Sequence, residues 1–232
     1  MPRHLILTAA ALLCLAGLPA HAQLQDERHN FSVGINGGVN LSKVSFDPTI
    51  KQGYLIGPEF GVTARYISEK YFKMICGIQA EINYSQRGWK ETIDDGSGDS
   101  FQRAMNYIEI PLLAHLAFGK DQGNGVRFVI NLGPQIGFLL GEKDTRSASW
   151  DPSNRPNGTT EQYSMRAENK FDYGIIGGGG LEARTGIGHF ILEARYYFGL
   201  SDFYNSTKKD YFSRSAHSYI GGRLTYLFDL KK

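Results

Sequence analysis

The chain has 232 residues, with 25 lysines and arginines against 23 acids for a formal charge of +2. A balance so close to neutral argues against a nucleic-acid partner. After the amino-terminal leader no segment approaches 18 consecutive apolar residues, which excludes a transmembrane helix.

The leader reads MPRHLILTAAALLCLAGLPAHAQ. Arg3 supplies the positive start, Leu5 to Leu18 the apolar core, and Ala20-His21-Ala22 a small-x-small cleavage site, so residues 1–22 are predicted to be a secretory signal peptide. A lipoprotein signal acylated at Cys14 fits less well, because Leu13 stands where a small residue is expected. Cleavage leaves Cys76 as the sole cysteine and rules out an internal disulfide. The abundance of glycine and aromatic residues beside a mildly negative mean hydropathy suits a barrel facing lipid with alternate residues. A secreted soluble β-protein has similar totals.

Residues 23–30 form a polar lead-in, and 31–232 read as one β-barrel domain. The first strand, Phe31 to Leu41, sets Phe31, Val33, Ile35, Val39 and Leu41 against Ser32, Gly34, Asn36, Gly38 and Asn40. The second, Tyr54 to Ile67, alternates likewise. A period of two sustained this long marks a strand with two unlike faces. The third begins at Phe72 and carries Met74, Cys76, Ile78, Ala80, Ile82 and Tyr84 on its apolar face. The fourth continues the pattern through Ile108, Ile110, Leu112, Ala114, Leu116 and Phe118. The fifth runs from Val126 to Leu140, the sixth from Phe171 to Arg184, the seventh from Phe190 to Phe198 and the eighth from Ala216 to Leu230. Ordinary strands have about 5–6 residues; these are roughly twice as long.

The connectors cover 42–53, 68–71, 88–105, 119–125, 141–170, 185–188 and 201–215. They alternate long and short, which predicts an all-β, eight-stranded antiparallel up-and-down transmembrane β-barrel in the bacterial outer membrane, with both termini periplasmic. Tyr54 and Tyr66, and Phe72 and Tyr84, are same-face aromatics twelve positions apart. At about 3.3 Å per residue and a tilt near 45° they stand roughly 28 Å apart, matching girdles that flank an apolar band of about 25 Å.

Alternation alone does not say which face points inward, since a soluble barrel has the same period with its apolar face inside. Two features favour a polar interior. Most strand glycines lie on the polar face, where a narrow lumen needs room for large neighbours. The same face carries Glu59, Glu81, Glu109, Asp172, Glu182 and Glu193 against Arg65, Arg87, Arg127, Arg184, Arg195 and Arg223. Six acids matched by six arginines suit a desolvated interior, where an unpartnered charge is costly. An eight-strand barrel leaves a lumen that side chains just fill, so this charge network is predicted to plug it. The competing reading is a solvated sheet face of mixed charge.

Glu81, Tyr84, Ser85 and Gly88, then Asn106, Tyr107 and Pro111, follow the pattern Glu-x-x-Tyr-Ser-x-x-Gly, loop, Asn-Tyr-x-x-x-Pro. With the segments GGGGLEAR and ILEARYYFGL, the chain resembles the PorT-like outer-membrane β-barrel family of Bacteroidetes. The resemblance implies the location and fold. It also implies, less directly, an accessory role in a protein secretion and gliding apparatus.

Other candidates are weaker. Asp95, Ser97 and Asp99 resemble the start of a calcium loop, but Ser100 stands where glycine is expected and Asn106 where the closing acid is expected. A solvated acidic turn is the expectation. Gly177 to Gly180 lacks the spacing and following helix of a phosphate loop. His217 and Ser218 are adjacent in a strand, so they point to opposite faces and do not form a nucleophile–base pair. His115 and Cys76 read as packing residues. No catalytic, cofactor or metal residues are assigned, and a non-enzymatic structural or surface-interaction role is expected over a lipid-modifying enzyme. The expected partners are outer-membrane lipid and other envelope proteins reached through loops 88–105 and 141–170, where Trp150 and Tyr163 offer aromatic anchors.

Overall fold

Each alternating segment becomes one strand of a closed antiparallel ring. The computed structural model describes residues 29–71, 74–119, 125–153 and 158–231. The predicted signal peptide, most of the lead-in, and Phe72 lie outside the described residues. The strands are β1 (Asn30–Asp47), β2 (Gln52–Gly53), β3 (Leu55–Tyr71), β4 (Met74–Glu91), β5 (Phe101–Gly119), β6 (Gly125–Arg146), β7 (Phe171–Thr185), β8 (Gly188–Gly199) and β9 (Arg214–Lys231). The two-residue β2 pairs only with the end of β4. The eight long strands pair with their chain neighbours, and β1 pairs with β9 to close the ring. Closure removes the sheet edge, so every long strand has a neighbour on both sides within the ring.

The start of β1 and the end of β9 meet, Phe31 opposite Lys231, at the end of the ring that carries the short turns. The opposite end carries the connections 48–54, 92–100, 147–170 and 200–213. Around the outside runs a belt of exposed apolar residues, including Ile35, Phe60, Val62, Ile82, Leu112, Phe128, Leu132, Ile175, Leu192 and Leu224. Tyr54 and Tyr66 both face outward, at 52% and 39% exposure, on opposite margins of this belt.

The strands run further than the alternation predicts at the loop end. β1 continues to Asp47 and β6 to Arg146, while β4 and β5 occupy Gly88–Glu91 and Phe101–Met105 of the predicted 88–105 loop. The physical reason is a reversal of polarity. Above Tyr84, Ile108 and Leu140 the outward positions are Lys90, Gln102, Asn106, Lys143 and Thr145, whereas Trp89, Phe101, Met105 and Tyr107 point in. A register shift between Asn106 and Tyr107 leaves Leu140 as an extra residue in β6. This bulge switches the parity, so that Glu142 and Asp144 turn inward. The 22 residues of β6 rise about 50 Å along the axis at the usual spacing and tilt, well beyond a bilayer core of about 30 Å.

Candidate functional site: the lumen and the loop-end head

The alternation that puts apolar side chains outside turns every polar partner inward. All twelve predicted charges lie inside the ring, none more than 6% exposed. They sort into layers along the axis.

Nearest the terminal end, the Arg65 guanidinium donates to Glu182 at 2.9 Å, and His189 bridges Glu182 and Asp229. Arg127 sits opposite Glu182 across the β6–β7 pair, and Arg184 lies opposite His189 across β7–β8. In the middle, Glu81 accepts from Arg195 at 2.9 and 3.1 Å and from Arg223 at 2.9 Å. Gln79 and Asn83 also donate to Glu81, at 2.7 and 2.8 Å. Arg195 reaches on to Glu193 at 2.8 Å, and Arg223 to Glu59 at 3.2 Å. Higher still, Arg87 binds Asp172 at 2.7 Å and Glu109 at 3.3 Å, with its guanidinium 3.8 Å from the centre of the Tyr107 ring. Tyr219 donates to Glu109 at 3.0 Å.

Space for these side chains comes from small neighbours. A Cβ built on Gly178 would stand 2.7 Å from Cγ of Arg195, and one on Gly174 would stand 2.7 Å from the Tyr197 ring. Each glycine lies beside a large inward group, as the polar-face placement predicts.

Above the charges the interior turns aromatic. Val44, Phe46, Ile50, Trp89, Phe101, Met105, Tyr107, Phe203, Tyr204 and Phe212 form one buried cluster. Phe203 and Tyr204 come from the 200–213 loop, which folds over the mouth so that Phe203 stacks on Trp89 with centroids 5.8 Å apart. Trp150 and Tyr163 of the 147–170 loop pack on Phe101, at 5.6 and 4.9 Å. Arg103 ties this head together, donating to Asp144 at 2.6 and 3.0 Å, to the Met165 carbonyl and to the Tyr204 hydroxyl. Burial raises the Glu91 carboxyl above the ordinary carboxylate range, opposed by hydrogen bonds from Tyr163, Gln162 and Trp89.

Several participants escape a reading of charges alone. His115 holds Asn131 at 2.8 Å, and Asn131 in turn donates to Glu193; Asn36 joins Thr63 and Asn83. Their inward parity was the signal that could have found them. Arg103 and Glu91 were missed because the predicted 88–105 loop concealed that they continue a strand. The acidic run at 94–99 ties loops together: Asp99 accepts from Ser147, Ser149 and the Asp151 amide, and Asp95 from Ser97. Among the described residues, no group of three or more His, Cys, Asp or Glu is placed to hold a metal ion. His217 points inward between Tyr107 and Phe203, whereas Ser218 lies on the other face.

A closed ring that is apolar outside and ion-paired inside is the arrangement of a membrane-spanning β-barrel, since only a closed barrel satisfies its backbone in lipid. The chain belongs to the outer membrane protein beta-barrel domain family, whose model matches residues 21–205. This membership places it in the bacterial outer membrane. No curated protein sequence matches the chain. Among solved structures it is similar to Ail, the attachment invasion locus protein of Yersinia pestis, in complex with the heparin analogue sucrose octasulfate. That likeness has 16% identity over 86% of this chain and 99% of that one, with a TM-score of 0.42. It is also similar to Neisserial surface protein A, with 12% identity, 84% and 96% coverage and a TM-score of 0.39. A third is OprG from Pseudomonas aeruginosa, with 9% identity, 88% and 97% coverage and a TM-score of 0.40.

Proposed function

We propose that the protein is a non-conducting, non-enzymatic outer-membrane barrel that holds a folded loop platform at the cell surface. The observation that carries this is the lumen itself, crossed at successive levels by Arg65–Glu182, by Arg195 and Arg223 on Glu81, and by Arg87 on Asp172. An eight-strand cylinder has no room for an aqueous path beside such side chains. The aromatic head adds a second closure. Because outer-membrane barrels place short turns in the periplasm, both termini are periplasmic; a secretory signal over residues 1–22 is the leader that such a location requires. Purified protein in planar bilayers is expected to show no stable conductance, and steady nanosiemens-scale openings overturn the closed-lumen reading. Overexpression is expected to leave lipid A unaltered; a changed lipid A would make the protein an enzyme. An accessory role in a secretion or gliding apparatus rests on the sequence resemblance alone. Crosslinking in intact envelopes tests it, and failure to capture any envelope protein reproducibly removes that role.

A further inference from the structure

Beyond the closed lumen, the loop-end head contains a cleft of about 650 Å³ between the 48–54, 92–100 and 147–170 connections. Glu91, at the end of β4, lines it and is only 7% exposed. Its carboxylate accepts from the Tyr163 hydroxyl at 2.7 Å, from Gln162 Nε2 at 3.1 Å and from the Trp89 indole at 3.5 Å. All three donors are neutral. Arg103 acts on it through space, but its guanidinium is committed to Asp144, the Met165 carbonyl and the Tyr204 hydroxyl. Each of the six lumen acids Glu59, Glu81, Glu109, Asp172, Glu182 and Glu193 has a guanidinium in direct contact; among the described residues Glu91 has none.

Beside it, Gln162 lines the same cleft and is 1% exposed. Its amide nitrogen donates to Glu91 and to the Thr159 carbonyl, and among the described residues Oε1 has no hydrogen-bond partner. A buried acceptor without a donor costs free energy, and a buried carboxylate without a cation costs more. Here the two stand side by side. A single group that donates several hydrogen bonds, accepts none and carries a positive charge would answer both, and an alkyl ammonium is such a group. The rim adds the carboxylates Asp94 and Asp95, with Lys51 3.6 Å from Asp94. Ile50 and Ile93 supply apolar wall for a carbon skeleton.

We infer that this cleft binds a small organic cation through a primary ammonium held by Glu91 and the Gln162 carbonyl. A free polyamine and an amino sugar both carry that group. The inference stands whether or not the lumen conducts.

The test uses the full processed protein in zwitterionic micelles, titrated calorimetrically with spermidine, with glucosamine and with N-acetylglucosamine. Tryptophan fluorescence is followed in parallel, because Trp89 touches Glu91. Saturable binding of at least one amine is expected, with a fluorescence change and no binding of the neutral N-acetyl sugar. Spermidine alone identifies a polyamine site and glucosamine alone an amino-sugar site. Glu91→Gln keeps the side chain's shape and is expected to weaken binding about tenfold or more, as loss of a charge-assisted hydrogen bond does. Should that variant fail to fold, Gln162→Met removes the amide carbonyl and carries the same expectation. Absence of saturable binding at millimolar amine, equal binding of N-acetylglucosamine, or undiminished binding by the folded variant overturns the inference.

Discussion

The barrel has two halves built on opposite rules. In the belt half the inside is charged and the outside apolar, around Glu81, Arg195 and Arg223. In the head the inside is aromatic, around Trp89, Phe101 and Phe203, and the outward positions are Lys90, Gln102 and Lys143. The same strands make both. The solvent therefore assigns the faces: hydrocarbon takes the apolar side chains of the belt, and water takes the polar ones of the head. A residue type contributes to stability here only through the medium its half of the strand meets.

The largest effect is expected where the belt's interior loses an acid. Glu81→Leu strips Arg195 and Arg223 of a shared carboxylate. Breaking a buried pair costs about 3–5 kcal/mol; two such pairs break together here, while Arg195 keeps Glu193 and Arg223 keeps Glu59, so the variant is expected toward the upper end. Urea titration of folding into lipid vesicles, read by gel mobility, measures it. A loss below about 1 kcal/mol would mean that the lumen is solvated and the contrast between halves is false.

Trp89→Ala probes the head. Truncating a buried tryptophan costs about 3–5 kcal/mol, but the ring packs on loop residues Phe203 and, through Phe101, Trp150 and Tyr163. Limited proteolysis is expected to cut the 92–100 and 147–170 loops faster, while the barrel's urea midpoint moves less than in Glu81→Leu. Equal shifts would show the halves to be one cooperative unit.

The outside faces give the next contrast. Leu224→Arg places a charge on the belt and is expected to cost about 2–4 kcal/mol, whereas Thr145→Arg, outward but above the belt, is expected to cost about 0–1 kcal/mol. Comparable losses in the same vesicle assay would move the membrane boundary up the barrel.

The belt half was legible because lipid outside and charge inside both reinforce a period of two from Phe31 to Leu41 and from Val126 to Leu140. The direction of that pattern followed from glycine and arginine sharing one face. The head was illegible for the complementary reason. At Gly88–Glu91 and Gly141–Arg146 the apolar parity reverses or slips at the Leu140 bulge, so continuing strand reads as loop. Nor does the sequence say which acid meets which arginine. Arg65 and Glu182 sit on β3 and β7, and their meeting across the lumen depends on the tilt and register of the closed ring, which no local pattern encodes.

The smallest effect belongs to an ion pair that lies outside both interiors. Lys51 and Asp94 approach to 3.6 Å on the head's rim, with side chains 71% and 83% exposed. Water screens both charges and both side chains give up rotamer freedom to meet, so such pairs are worth about 0–1 kcal/mol. Lys51→Ala is therefore expected to leave the urea midpoint within error, at low salt and at high salt alike. The value of this variant lies in its contrast with Glu81→Leu, since the two break contacts of similar chemistry. A loss from Lys51→Ala comparable to that of the lumen acid would mean that charge pairing stabilises this protein irrespective of burial, and the distinction between an interior facing lipid through its wall and a head facing water would have no energetic content.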